Sequence, residues 1–199
     1  MPYSNFTLAK AKKDFGLTTS EGGRFLPSID PIAPSSRLRE ALEDLPWAIA
    51  VGSEKAKSEG LIYPVLQEVR RILKNQVSLF SGKDFTVDPS KGLSGFVDYL
   101  ISRSQEQLEI EAPVIIVGEA KRDNLNEGLG QCIAEMVAAQ AFNQTNQVNI
   151  TTIYGVVSNG TQWRFLKLEG STVTIDLMDY SLLPVDQILG FLVWMVREG

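Results

Sequence analysis

Three side chains near the middle of the chain have the types and spacing for phosphoryl chemistry. Asp98 interrupts the apolar segment GFVDYLIS, and Glu119 and Lys121 close the segment PVIIVGEAK. Both segments read as β-strands, and Val114 to Val117 is the continuous β-branched run expected of a strand buried on both faces. Strand residues two apart share a side, so Glu119 and Lys121 project together while Ala120 turns away. If the two strands pair antiparallel, Asp98 can lie beside Glu119. Two carboxylates so placed can share one divalent cation, which would neutralise a phosphate oxygen and help ionise a water. The lysine at the edge can orient that water or stabilise the charge that develops. Phosphodiester hydrolysis needs this set. Gln131, at the start of the following helix, can face the same cleft. A plainer reading stands beside this one: Glu-x-Lys on a strand face is also a common solvated ion pair, of little energetic worth.

Composition removes most competing chemistries. The chain has no histidine and one cysteine, Cys132. A cysteine–histidine or serine–histidine–aspartate centre cannot be built, nor can a zinc site of the usual ligand type. A bound metal must take oxygen ligands, which points to magnesium, manganese or calcium. GEAKRD is not a phosphate-binding Walker loop, and Gly128-Leu129-Gly130 lacks the rest of a dinucleotide fingerprint, so nucleotide hydrolysis and redox chemistry are excluded. The 199 residues are 44% hydrophobic and 22% charged, ordinary for a globular chain with a real core. No run approaches the roughly 18 residues of a membrane helix, and MPYSNFTLAKAKKDF lacks the apolar stretch of a secretory signal. No membrane contact and a cytoplasmic location are expected. The net charge of −5 opposes long-range attraction to nucleic acid, so a local patch, a homodimer or a partner subunit would have to supply affinity.

The elements that must position these residues follow from periodicity and punctuation. Residues 1–50 read as an N-terminal arm packed on a single domain over 51–199. In the arm only Arg37 to Leu45 shows helical spacing, ended by Pro46. Ser53 is a suitable N-cap for a helix from Glu54, with Gly60 and Pro64 as weak points. Three strands are expected near Leu79–Val87, Ser94–Ser102 and up to Lys121. A helix of about 15 residues should run from about Glu127, with Asn143 near its end. A strand, an Asn-Gly turn, a returning strand with Trp163 and Phe165 inside, one more strand and an apolar C-terminal helix complete the chain. The fold class is α/β, with a mixed central sheet flanked by helices.

FVDYLI, then PVIIVGEAKRD, then GLGQCIAEM resemble the PD-(D/E)XK nuclease superfamily, and within it the N-terminal nuclease domain of type I restriction enzyme motor subunits. SEKAKSEGLIYPVLQEV resembles the first helix of that domain, and IYGVVSNGTQWRFLKL its late hairpin. The likeness covers about residues 53 to 170, and the arm has no counterpart in it. The resemblance implies a restriction-endonuclease-like core and a Mg2+- or Mn2+-dependent nuclease acting on DNA or RNA. It further implies Asp98 and Glu119 as metal ligands, the Ala120 carbonyl as a third, Lys121 as the catalytic lysine, Gln131 as a site-lining residue and Glu54 as an accessory carboxylate. Val97 stands where the name-giving proline would be, and Glu59 and Glu68 compete with Glu54. Two alternatives remain: a catalytically silent nuclease fold that binds or regulates with a partner, and a protein stabilised structurally by calcium or magnesium.

Overall fold

The computed structural model describes residues 2–21 and 23–198; Met1 and Gly22 of the expected arm and Gly199 of the expected domain lie outside them. The chain runs α1 (Leu8–Phe15), β1 (Thr18–Glu21), α2 (Ser36–Leu42), α3 (Leu45–Val51), α4 (Glu54–Lys57) and, through a π-helical turn (Ser58–Ile62), α5 (Tyr63–Ile72). Then come β2 (Ser78–Asp84), β3 (Phe96–Ser102), β4 (Val114–Ala120), α6 (Leu129–Thr145), β5 (Thr152–Ser158), β6 (Gln162–Glu169), β7 (Thr172–Ile175), β8 (Tyr180–Ser181) and α7 (Asp186–Glu198). The strands form one mixed sheet in the order β1-β7-β6-β5-β4-β3-β2, with β8 paired to β6. Strands β2, β3 and β4 are successively antiparallel, and β5 lies parallel to β4 across the α6 crossover. Among the described residues no helix is long and apolar enough to cross a membrane.

Each face of the sheet has its own core. Leu61, Val65, Val69, Phe191 and Met195, from the π-turn, α5 and α7, pack on one face with Ile115, Tyr154 and Trp163. Ile133 and Met136 of α6 pack on the other with Val117, Val157 and Leu166. Every residue of β4 and of β5 is buried, which explains why their sequences lack alternation. Asn143 lies two residues from the end of α6, as expected, and has a second role. It is fully enclosed within α6, where its side chain accepts from the Val114 N–H and donates to the Val114 carbonyl, both at 2.8 Å. It thus satisfies the first residue of β4 as a neighbouring strand would.

The arm is more ordered than its spacing suggests. α1 is held by its ends: Thr7 Oγ1 accepts from the Lys10 N–H at 3.2 Å, and Gly16 turns left-handed at φ 63°. Leu8, Ala11 and Phe15 make a short apolar stripe packed on the α6-side core, with only Ala11 fully buried. β1 pairs in parallel with β7 at the edge of the sheet. α2 ends at Leu42 rather than Leu45, and Pro46 belongs to the first turn of α3. A first-turn proline starts a helix because its missing N–H has no intrahelical partner there. Gly130 lets the arm backbone cross α6: a Cβ there would lie 2.3 Å from the Phe6 carbonyl oxygen.

Asn143→Ala should leave a buried N–H and carbonyl of Val114 unpaired and cost about 2–4 kcal/mol, read as a lower urea midpoint at unchanged slope.

Candidate functional site

The β3–β4 register pairs Tyr99 with Gly118, and one step further Asp98 stands beside Glu119. Asp98 Oδ2 accepts from the Ala120 N–H at 2.8 Å. The Asp98 and Glu119 carboxyls each bear on the other's protonation. Lys121, the first residue past β4, donates to Glu119 Oε1 and forms an ion pair with it. This pair is not solvated: the side chains are 18% and 2% exposed. Gly128, just before α6, makes the packing feasible. A Cβ there would lie 2.7 Å from Val157 Cγ1, 3.1 Å from Lys121 Cγ and 3.2 Å from Glu119 Cγ.

Glu54 is the first residue of α4, whose N-terminus is capped by Ser53 Oγ accepting from the Ala56 N–H at 3.1 Å. With Asp98, Tyr99 and Ala120 it lines a cleft of about 440 Å³. Its charge is felt by both Glu119 and Lys121. Glu59 lines the same cleft but pairs with Lys55 at 2.9 Å, with both side chains well exposed. Glu68 is buried, accepts from the Ser35 N–H at 2.8 Å and faces Arg71 at 3.6 Å. An ideal helix would place Glu54 and Glu68 on nearly one face. The π-turn between them changes the helical phase, and Glu68 serves the arm.

Gln131 sits in the first turn of α6, and its amide donates to Glu135 Oε1 at 3.1 Å. Sequence reasoning missed Glu135. It is fully buried, and its Oε2 has no hydrogen-bond partner. The available signal was its i,i+4 spacing from Gln131 within an otherwise apolar and alanine-rich helix.

The electrostatics follow from this crowding. Burial, and then Asp98, push Glu119 up to about 8 against the pull of Lys121. Burial raises Asp98, opposed by the Ala120 N–H and Lys121. Burial and the Glu119 charge raise Glu135 well above the usual carboxylate range. Burial alone would lower Lys121, but Glu119, Glu54 and Asp98 together hold it above its ordinary value, so it remains an ammonium.

Among the described residues no three His, Cys, Asp or Glu side chains converge to hold a metal ion. A cation here would rest on two carboxylates with backbone or solvent oxygen. That set suits a hard divalent ion, and Glu119 Oε2 is buried with no hydrogen-bond partner. The arrangement sets two carboxylates and a charged lysine together, with Asp98 opening onto the cleft between α4 and β3 and Glu119 and Lys121 set behind it. No family model, curated protein or solved structure matches the chain.

In metal-free buffer the folded state should keep a proton on Glu119 that the unfolded chain loses above its ordinary value of 4.5. Stability should therefore fall as pH rises from about 5 towards about 8, by up to ~1.4 kcal/mol per pH unit for each such proton. Glu119→Gln should flatten that slope in urea melts across the pH range. An equal slope in wild type and variant would show that Glu119 is not the group responsible.

Proposed function

We propose that the chain is a metal-dependent nuclease of restriction-endonuclease-like fold, hydrolysing phosphodiester bonds in DNA or RNA with Mg2+ or Mn2+. The observation that carries this reading is Asp98 and Glu119 side by side on adjacent antiparallel strands, with Lys121 against Glu119 at the strand end. The order of parts supports it. A helix with Glu54, a strand with Asp98, a strand ending in Glu119 and Lys121, and a helix with Gln131 follow one another as in the superfamily the sequence resembles.

In this reading Asp98, Glu119 and the Ala120 carbonyl hold the ion. When bound, the ion neutralises a phosphate oxygen and helps ionise a water. Lys121 orients that water or meets the charge developing on the phosphoryl oxygens. Glu54 contributes an accessory carboxylate from the cleft wall, and Gln131 holds Glu135 behind Glu119. The net charge of −5 favours a second reading, a catalytically silent nuclease fold that binds or regulates as a homodimer or with a partner subunit.

The test is incubation with plasmid, linear duplex, single-stranded DNA and RNA in Mg2+, Mn2+ or EDTA. The nuclease reading expects metal-dependent cleavage that falls at least ~100-fold in Lys121→Ala and in Asp98→Ala. No cleavage by wild-type protein shown to bind Mn2+ would move the assignment to the silent module. Cleavage surviving both substitutions would remove this site from the chemistry.

A further inference from the structure

The loop that carries Lys121 out of β4 is held from outside the sheet. Lys57, the last residue of α4, is only 8% exposed. Its ammonium donates to the Arg122 carbonyl at 2.7 Å and to Asp123 Oδ1 at 3.1 Å. Lysine ordinarily lays its stem on apolar surface and sends its head to water; here the head ends on a neighbouring backbone. The Asn159 amide, from the β5–β6 turn, donates to the Asp123 carbonyl at 2.8 Å. The Lys121 N–H donates to the Ser158 carbonyl at 2.9 Å. Arg122, Asp123 and Asn124 are all exposed, so their side chains anchor the loop in no core. Between the end of β4 and the buried Leu125, these polar ties hold it. Among the ties named here, the Lys57 one runs to α4, the short helix that Glu54 begins.

We propose that Lys57 is a positioning residue. By fastening α4 to the Arg122–Asp123 segment, it sets the Lys121 ammonium against Glu119 and fixes the spacing between the Glu54 wall and the end of β4. This rests on the reading of Lys121 as the catalytic lysine. Loss of the tie leaves every reacting group present but loosely placed, and such misplacement falls on turnover more than on substrate binding.

Three full-length proteins test this: wild type, Lys57→Met, which keeps the stem and removes the donors, and Lys57→Arg, which restores donors to the same two oxygens. Amide exchange at residues 120–124 should quicken at least tenfold in Lys57→Met. On a short oligonucleotide cleaved in Mg2+, kcat should fall about 30-fold while KM stays within twofold. Lys57→Arg should return both to within about threefold of wild type. Unchanged exchange in Lys57→Met would show that the tie does not hold the loop. Faster exchange with unchanged kcat would show that the loop does not position Lys121. A rise in KM with no change in kcat would also overturn the proposal. If wild-type protein cuts nothing in either metal, the nuclease reading falls and takes the positioning role with it, while the exchange data still decide whether Lys57 holds the loop.

Discussion

The architecture is arranged around negative charge largely withdrawn from water. Asp98, Glu119 and Glu135 crowd together with one ammonium, Lys121, among them. An unpaired buried ion costs several kcal/mol, and one lysine cannot neutralise three carboxylates. The site must therefore hold protons or recruit a cation, and both options keep Glu119 at the centre. The elements nearby serve this crowding. Antiparallel pairing sets Asp98 beside Glu119, the missing Cβ of Gly128 lets the Glu119 and Lys121 stems pass, and Gln131 satisfies one oxygen of Glu135.

The two faces of the sheet divide the work. On the α6 face the site is tightly packed. On the other side, the cleft wall is made by α4 and the π-turn, and that wall is tied to the sheet by polar contacts. The Ser58 and Tyr99 hydroxyls lie 2.5 Å apart, and the Tyr99 hydroxyl also donates to the Ser58 carbonyl at 3.0 Å. Burial pushes Tyr99 up to about 12, so it serves as a neutral donor and not as an acid. A π-turn strains regular helix geometry, and such turns recur where a helix must present side chains at a particular angle.

Much of this was legible in the sequence, for identifiable reasons. Strand β4 announces itself by the β-branched run Val114 to Val117, and β5 by the lack of polar alternation in TIYGVVS, because both faces of each are covered. Asp98 stood out as a lone charge in an apolar strand, and strand parity sufficed to join Glu119 with Lys121. What stayed hidden depends on tertiary context. α1 carries only a short stripe, Leu8, Ala11 and Phe15, over eight residues and depends on its caps to be defined. α3 begins with a proline that equally well signals an ending. Glu68 resembled a site residue until the π-turn changed its phase. Glu135 reads as an ordinary helical glutamate apart from its spacing to Gln131, and the packing of α6 against β4 makes it a third carboxylate of the cluster.

The pairing of β1 with β7 joins residues 18–21 to residues 172–175, close to the largest separation the chain allows. Loop-closure entropy makes such a contact the costliest in the sheet to form. It also sets an order of events during synthesis. β1 leaves the ribosome long before it has a partner, and β7 emerges with its partner already made. The outer edge of β7, otherwise an open template for another chain, can therefore be covered from within the same molecule as soon as it exists. The short, polar strand TTSE serves as an intramolecular edge guard.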